Sequence, residues 1–258
     1  MVYYDGREKN PMKKYLVTFG TPEYIGSMQL LLDSAKGMID GFACIQKDTL
    51  PQEFVKNHEN IFSQPRGYGY WLWKPLIIYG IMNRIQDGDY CIYSDAANII
   101  TNDISPLFER CTRNGGILLF ENKNGSWDGK IWKNNEYTKA DCFNLMGCTT
   151  DEYVFGNQVD AAIQVYQKNE RTMEFLKEYL SFCEDERILT DMPNTTGENK
   201  EGFRDHRHDQ SVLSLLAIKY GVKLENCPTQ HRKNNDNLEK IYDFPIMFFH
   251  HKRKLQLL

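Results

Sequence analysis

Four short stretches of the chain bring together residue types able to act on a charged, polar substrate. The first is Asp95, which follows the apolar run Tyr90-Cys-Ile-Tyr-Ser and precedes Ala96-Ala97-Asn98. A carboxylate at the C-terminal end of a buried strand lies where open α/β sheets bind ligands. There it can hold a divalent cation that neutralises a diphosphate. The same position also suits an Asx-turn that caps the next loop. The second stretch, RGYGYWLWKP from Arg66 to Pro75, is the densest aromatic segment. Its two glycines let backbone approach a ligand. Arg66 and Lys74 are phosphate-compatible donors, and Trp71 and Trp73 can stack on a ring. The alternative is an aromatic corner packed under a sheet, which accounts poorly for the paired cations.

The third stretch is His206-Arg-His208-Asp209-Gln210-Ser211, just before VLSLL. Asp209 falls at a helix start, where it can cap, and Asp209 with Gln210 offers both acceptors and donors to sugar hydroxyls. His206 and His208 are two apart and share no helical face, which argues against a metal cluster. The fourth is Phe248-Phe-His250-His251-Lys252-Arg253-Lys254. A histidine here can ligate a metal and the cations can meet phosphate, or the stretch is a solvated basic tail. Only in company with Asp95 does it gain weight.

These groups need a frame to hold them. Lys14–Phe19 reads as a strand that runs into the turn Gly20-Thr21-Pro22. Apolar residues at Met28, Leu31, Leu32, Ala35 and Met38 predict a helix over 24–38. Strands are expected at 42–45, 90–93, 116–120, 158–166 and 222–224. Helices are expected at 51–62, 75–85, 105–110, 139–146, 170–183 and 209–220. Residues 122–135 read as a polar loop with Trp127 and Trp132. The long Gly/Asn/Asp-rich stretch 190–204 reads as a functional loop. Alternating strands and helices predict an α/β fold with a mostly parallel central sheet flanked by helices. With no repeat, low-complexity tract or linker, one domain spanning 1–258 is expected, with a loose lead-in at 1–12.

Composition sets the outer limits. The 258 residues carry 31 Lys+Arg against 35 Asp+Glu, a formal charge of −4, which argues against a nucleic-acid binder. No run reaches about 18 apolar residues, so no transmembrane helix is expected. The N-terminal MVYYDGREKNPMKK has no apolar stretch after it, so no secretory signal is expected either. Seven cysteines, an odd number with no C-x-x-C, argue against a zinc ribbon or a disulfide framework. Buried free thiols in a reducing, cytoplasmic setting are the expectation. Aromatics reach 13%, and most of them are expected in the core.

Taken in order, KYLVTFGT, RGYGYWLWKP, GDYCIYSDAAN, HRHDQSVLSLL and a late histidine resemble a family. It is that of the GT-A-fold, nucleotide-sugar-dependent glycosyltransferases of polysaccharide-synthesis type found in bacteria and large viruses. The resemblance spans roughly 14–252 and includes features similar to retaining galactosyltransferase-like enzymes. It implies a Rossmann-like GT-A sheet, a donor that is a nucleoside diphosphate sugar, often UDP-linked, and Mn²⁺ or Mg²⁺ as cofactor. It also implies a glycan or glycoconjugate acceptor and a cytoplasmic site of action, the host's for a viral member. Residues 13–120 would form the nucleotide-binding half, and 121–258 the acceptor and donor-sugar half. Asp95 takes the place of the strand-end metal aspartate, and His250 or His251 that of the late metal-binding histidine. Asp209 and Gln210 resemble the pair that contacts the donor sugar. Thr18, Phe19, Gly20 and Thr21 would approach base and ribose. Arg66, Tyr70, Trp73, Lys74 and Lys252 would serve the rest of the donor. Ala97 departs from the usual motif, which has a second aspartate there. If the reaction inverts configuration, Glu152, Asp160 or Asp209 must act as the base. A nucleotidyltransferase would need a basic phosphate loop after the first strand, which Thr18-Phe-Gly-Thr-Pro-Glu-Tyr24 lacks. A non-catalytic carbohydrate binder would leave Asp95, Lys74 and His250 without a purpose.

Overall fold

The computed structural model describes residues 11–122, 131–231 and 247–251. Its centre is a five-stranded sheet in the order β2-β1-β3-β6-β5. The strands are β1 (Lys14–Phe19), β2 (Gly41–Ile45), β3 (Tyr90–Ser94), β5 (Ile117–Leu118) and β6 (Ile163–Gln167). β1 pairs in parallel with β2 and β3, while β6 pairs antiparallel with both β3 and β5. All strands but β6 therefore run one way, the mostly parallel α/β sheet that the alternating pattern predicts. A second sheet, β4-β8-β7, joins β4 (Asn98–Ile100), β8 (Phe248–His250) and β7 (Thr229–His231).

Period-two alternation divides the core into two layers. Val17, Cys91, Tyr93, Ile117 and Tyr166 face one cluster, which takes in the helices Trp73–Arg84, Glu170–Cys183 and Asp209–Lys219. Their neighbours Leu16, Tyr90, Ile92, Leu118 and Val165 face the other, with the helices Ile25–Ala35 and Ser105–Arg113. Burial on both faces is why β1 and β3 read as continuous apolar runs rather than alternating ones. All seven cysteines are free, and all but Cys44 are buried. No helix among the described residues is long and apolar enough to cross a membrane.

Several expected elements differ for local reasons. The 51–62 helix breaks at His58 (φ −118°), whose ring nitrogen bonds the Phe54 carbonyl and competes with the helical ladder. The helix expected from 75 begins at Trp73, because a proline in the first turn loses no hydrogen bond. The strand expected over 158–166 starts only at Ile163. Before it, the Asp160 side chain accepts from the Ala162 N–H in a local turn. Residues 222–224 form no strand, and Glu225 bridges Phe120 instead. β4, only three residues long, leaves no periodic trace in the sequence.

Candidate active site

β1 and β3 are parallel neighbours, so their C-terminal ends open side by side at one edge of the sheet. A cleft of about 480 Å³ lies there, lined in part by Phe19, Gly20, Thr21, Asp95, Ala97 and His250. Its aromatic wall comes from 65–73. The backbone is left-handed at every residue from Gly67 to Trp71, with φ between 49° and 78°. The glycines are required: a Cβ at Gly67 would meet the Trp71 ring at 2.4 Å, and one at Gly69 the Phe62 Cα at 3.0 Å. This coil turns Tyr68 and Trp71 toward the cleft and Tyr70 into the core. Trp73 anchors it, donating from Nε1 to the Gly67 carbonyl at 2.9 Å. Phe19 stacks on Trp73 at 4.1 Å and lies nearly parallel to Tyr68 at 6.0 Å. The result is a set of flat faces suited to a planar ring.

Among the described residues, the non-glycine residues with positive φ are Tyr68, Tyr70, Trp71 and His208. Each costs roughly 1–3 kcal/mol in such sparsely populated backbone conformations. They are not scattered. The His208 ring packs on those of Tyr70 and Trp71, at 4.7 and 5.6 Å. The two strained segments thus hold each other, and each leads directly into a charged residue of the floor.

That floor centres on Lys74, only 3% exposed. Its ammonium lies 3.3 Å from Asp209 Oδ2 and 3.6 Å from Asp95 Oδ1, and donates to the Ala161 carbonyl at 3.2 Å. Burial opposes its charge, but the two carboxylates outweigh burial and hold its pKa above the ordinary lysine value. Asp209 also accepts from the Tyr179 hydroxyl at 3.1 Å. Burial lifts its carboxyl above the usual carboxylate range against the pull of Lys74. Tyr93 donates to Asp95 Oδ1, and burial followed by the Asp95 charge pushes that phenol well up. Asp95, with a third of its side chain exposed, reaches the cleft beside the buried Tyr93 ring.

Polar residues extend the floor toward the second half of the chain. Gln210 donates from Nε2 to Gln158 Oε1 at 3.1 Å, and Gln158 donates in turn to Asn134 and Thr138. Arg66 forks between Asp191 at 2.8 Å and Asp205 at 3.0 Å. The 190–204 loop is tied to the body by Asp141, a buried carboxylate that accepts from the backbone N–H and hydroxyl of both Thr195 and Thr196.

No family model matches the chain, and no curated protein matches its sequence. Its structure does have likenesses. The apo structure of the bifunctional glycosyltransferase WbbM superposes with a TM-score of 0.54 at 8% identity, over 97% of this chain and 47% of WbbM. The fold is GT-A. The chain thus spans about half of WbbM. Mouse xyloside xylosyltransferase 1 aligns at 9% identity over 95% of this chain and 100% of its own, with a TM-score of 0.47. A glycosyltransferase involved in glycosylation of the major capsid of PBCV-1 aligns at 10% identity, over 93% and 94%, with a TM-score of 0.49.

Within this GT-A fold the residues singled out by sequence take distinct places. Phe19, Gly20, Thr21, Trp73, Asp95 and His250 line the cleft. Thr18 does not: it is fully buried inside β1. Tyr70 is a core residue packed on His208. Lys74 and Arg66 are committed to carboxylates, so neither extends toward a donor phosphate. Asp209 is the first helical residue but not a cap, since its side chain turns inward to Lys74 and Tyr179. Glu152 is exposed on a short helix, and Asp160 is buried and bonded to the Ala162 N–H. Lys252 lies outside the described residues, as do Trp127 and most of the lead-in.

β8 brings the late histidines to Asp95. Asn98 is in register with His250, and the His251 N–H bonds the Ala97 carbonyl at 3.0 Å. The described residues hold no cluster of three metal-ligating side chains. Asp95 and His250 nevertheless share the cleft. Tyr93 and Lys74 engage only Oδ1 of Asp95 among the described residues, which leaves Oδ2 as a ligand atom. A carboxylate oxygen and an imidazole nitrogen are both ligand types that a divalent cation accepts.

Sequence reading missed Tyr93, Tyr179, Gln158 and Asn134. Tyr93 had a signal, because it stands two residues before Asp95 and so on the same strand face. The amides had none, since uncharged Asn and Gln belong to no motif.

Proposed function

We propose that this chain is a glycosyltransferase that moves a sugar from a nucleoside diphosphate donor, UDP-linked, to a glycan or glycoconjugate acceptor, with retention of configuration. The observation that carries this reading is the junction of two unlike surfaces in one cleft. The stacked rings of Phe19, Tyr68 and Trp73 suit a nucleobase, and they open beside Asp95 at the ends of two parallel strands.

In this reading the aromatic wall binds the base and excludes water. Tyr93 and Lys74 hold Asp95 oriented toward the diphosphate. A divalent cation held by Asp95 and His250 would supply Lewis-acid neutralisation of the leaving group. The sugar C1–O bond to the diphosphate breaks, and its electron pair goes to the phosphate oxygen. The acceptor oxygen forms the new bond to C1, and its proton passes to the departing diphosphate. Gln210 supplies a neutral oxygen beside the oxocarbenium-like centre. Support for retention comes from the carboxylates. Asp209 is saturated by Lys74 and Tyr179 and Asp160 is buried, which counts against either as a base for inversion.

Incubation with labelled UDP-sugars, Mn²⁺ and a panel of glycan acceptors tests the reading. Sugar transfer, or slow donor hydrolysis without acceptor, is the expected result. Pyrophosphate-dependent exchange would instead mark a nucleotidyltransferase. Binding without turnover would mark a carbohydrate-binding protein.

A further inference from the structure

The side-chain amides beneath Gln210 form a chain whose direction is fixed at its far end. The Tyr153 backbone carbonyl can only accept, and Asn134 Nδ2 donates to it at 2.9 Å. Asn134 must therefore turn its Oδ1 to Gln158, which donates from Nε2 at 2.9 Å. The second Nε2 hydrogen of Gln158 goes to Thr138 Oγ1 at 3.0 Å. With both hydrogens used, Gln158 presents its Oε1 to Gln210, and Gln210 must answer with its own NH₂, at 3.1 Å. Flipping any single amide would set oxygen against oxygen, or NH₂ against NH₂. Asn134, Thr138 and Gln158 are fully buried, so no water is at hand to repair such a mismatch. The Gln158 backbone is pinned as well, by Trp132 and Asn122. A parallel link runs from the Val159 N–H through Ser214 Oγ to the Gln210 carbonyl.

We propose that Gln158 is a positioning residue that locks the amide of Gln210 with its carbonyl oxygen outward, toward the reacting sugar carbon. This rests on the glycosyl-transfer reading above. Gln210 is the half-buried end of the chain, so its Oε1 is the acceptor left for a ligand. The direction of the amide sets the sign of its interaction. An outward oxygen attracts the positive charge that grows on the sugar ring, and an outward NH₂ would repel it. A glutamine free to rotate would spend much of its time the wrong way round.

Gln158→Met keeps the volume and removes the lock. Its kcat should fall about 10- to 100-fold with donor KM and nucleotide affinity little changed, as expected when only a transition-state contact is lost. Gln210→Ala should fall by a similar factor, and the double variant should be no worse than Gln210→Ala alone. An unchanged kcat in a folded Gln158→Met protein, or losses that multiply in the double variant, would overturn the proposal. A second readout needs neither turnover nor a variant. In the wild-type protein the Gln210 side-chain NH₂ protons should exchange slowly with solvent by NMR, and rapid exchange overturns the lock. A wild-type protein that shows slow Gln210 NH₂ exchange but turns over no donor refutes the glycosyl-transfer reading and leaves the amide direction standing.

Discussion

The mouth and the floor of the cleft are built on opposite principles. The mouth is made of rings and strained backbone: Phe19 stacked on Trp73, and a run of left-handed residues from Gly67 to Trp71. The floor is made of charge: one buried lysine between two carboxylates, each further bonded by a tyrosine. The mouth can shift a ring at modest cost, because dispersion contacts are many and individually small. A buried ion pair cannot lose one partner cheaply, since the other is left charged and unpaired. Asp95 belongs to both regions, buried on its Oδ1 side and open toward the cleft.

The largest effect should come from breaking the floor. Lys74→Met is expected to lower unfolding stability by about 3–5 kcal/mol in urea denaturation, because Asp209 is left buried without its counter-charge. Adding Asp209→Asn should recover part of the loss. Wild-type stability in the single variant would show that the pair does not hold the floor together.

Asp95→Asn tests the boundary residue. With a third of its side chain exposed, it should leave the melting temperature nearly unchanged while turnover falls about 10²- to 10³-fold. Metal stimulation of the remaining activity should disappear. Full activity with and without chelator would remove Asp95 from the chemistry.

Acid should loosen the hinge between mouth and floor. Burial, against the opposing pull of the bond to the Leu189 carbonyl, lowers the pKa of His208 from an ordinary 6.5 to about 4, and burial lowers that of His206 well below its usual value. Groups that fold neutral stabilise the protein above their unfolded pKa, and they lose that contribution as pH falls through the folded one. Stability should therefore decline from about pH 6.5 to pH 4, by about 3 kcal/mol from His208 alone. His208→Gln should flatten the decline in a pH series of melting curves. A wild-type curve that is flat across this window would contradict neutral burial.

The smallest effect belongs to the mouth. Tyr68→Ala should weaken nucleotide binding by about 1–3 kcal/mol in calorimetry, the usual worth of one base-stacking ring, and leave the fold intact. Equal binding would move the base elsewhere along the cleft.

The two regions also differ in how much of them the sequence discloses. The mouth was largely legible. β1 and β3 are continuous apolar runs ending at Gly20 and Asp95, and a pair of glycines among aromatics announces an unusual backbone. In the floor, sequence identified Lys74, Asp95 and Asp209 but not their mutual contact. A lysine at a helix start looks like a phosphate ligand until its burial is known. Asp209 looks like a cap until Tyr179 and Lys74 turn it inward. Pairings such as Lys74 with Asp209, or Gln158 with Gln210, depend on helix packing that no local pattern encodes. The three-residue β4 was illegible for the same reason, since its partner β8 lies far along the chain.

That pairing bears on how the protein comes into being. During synthesis β1, β3 and Asp95 emerge early and can assemble their part of the sheet, as the earlier-made parts of a chain generally do. The loop after Asp95 has no edge to rest on until His250 and His251 have been made, because they supply its register and the bond to Ala97. A growing chain therefore carries an unfinished mouth over a nearly complete core. A chain broken off before residue 248 would keep most of its hydrophobic layers and lack the strand that closes the site.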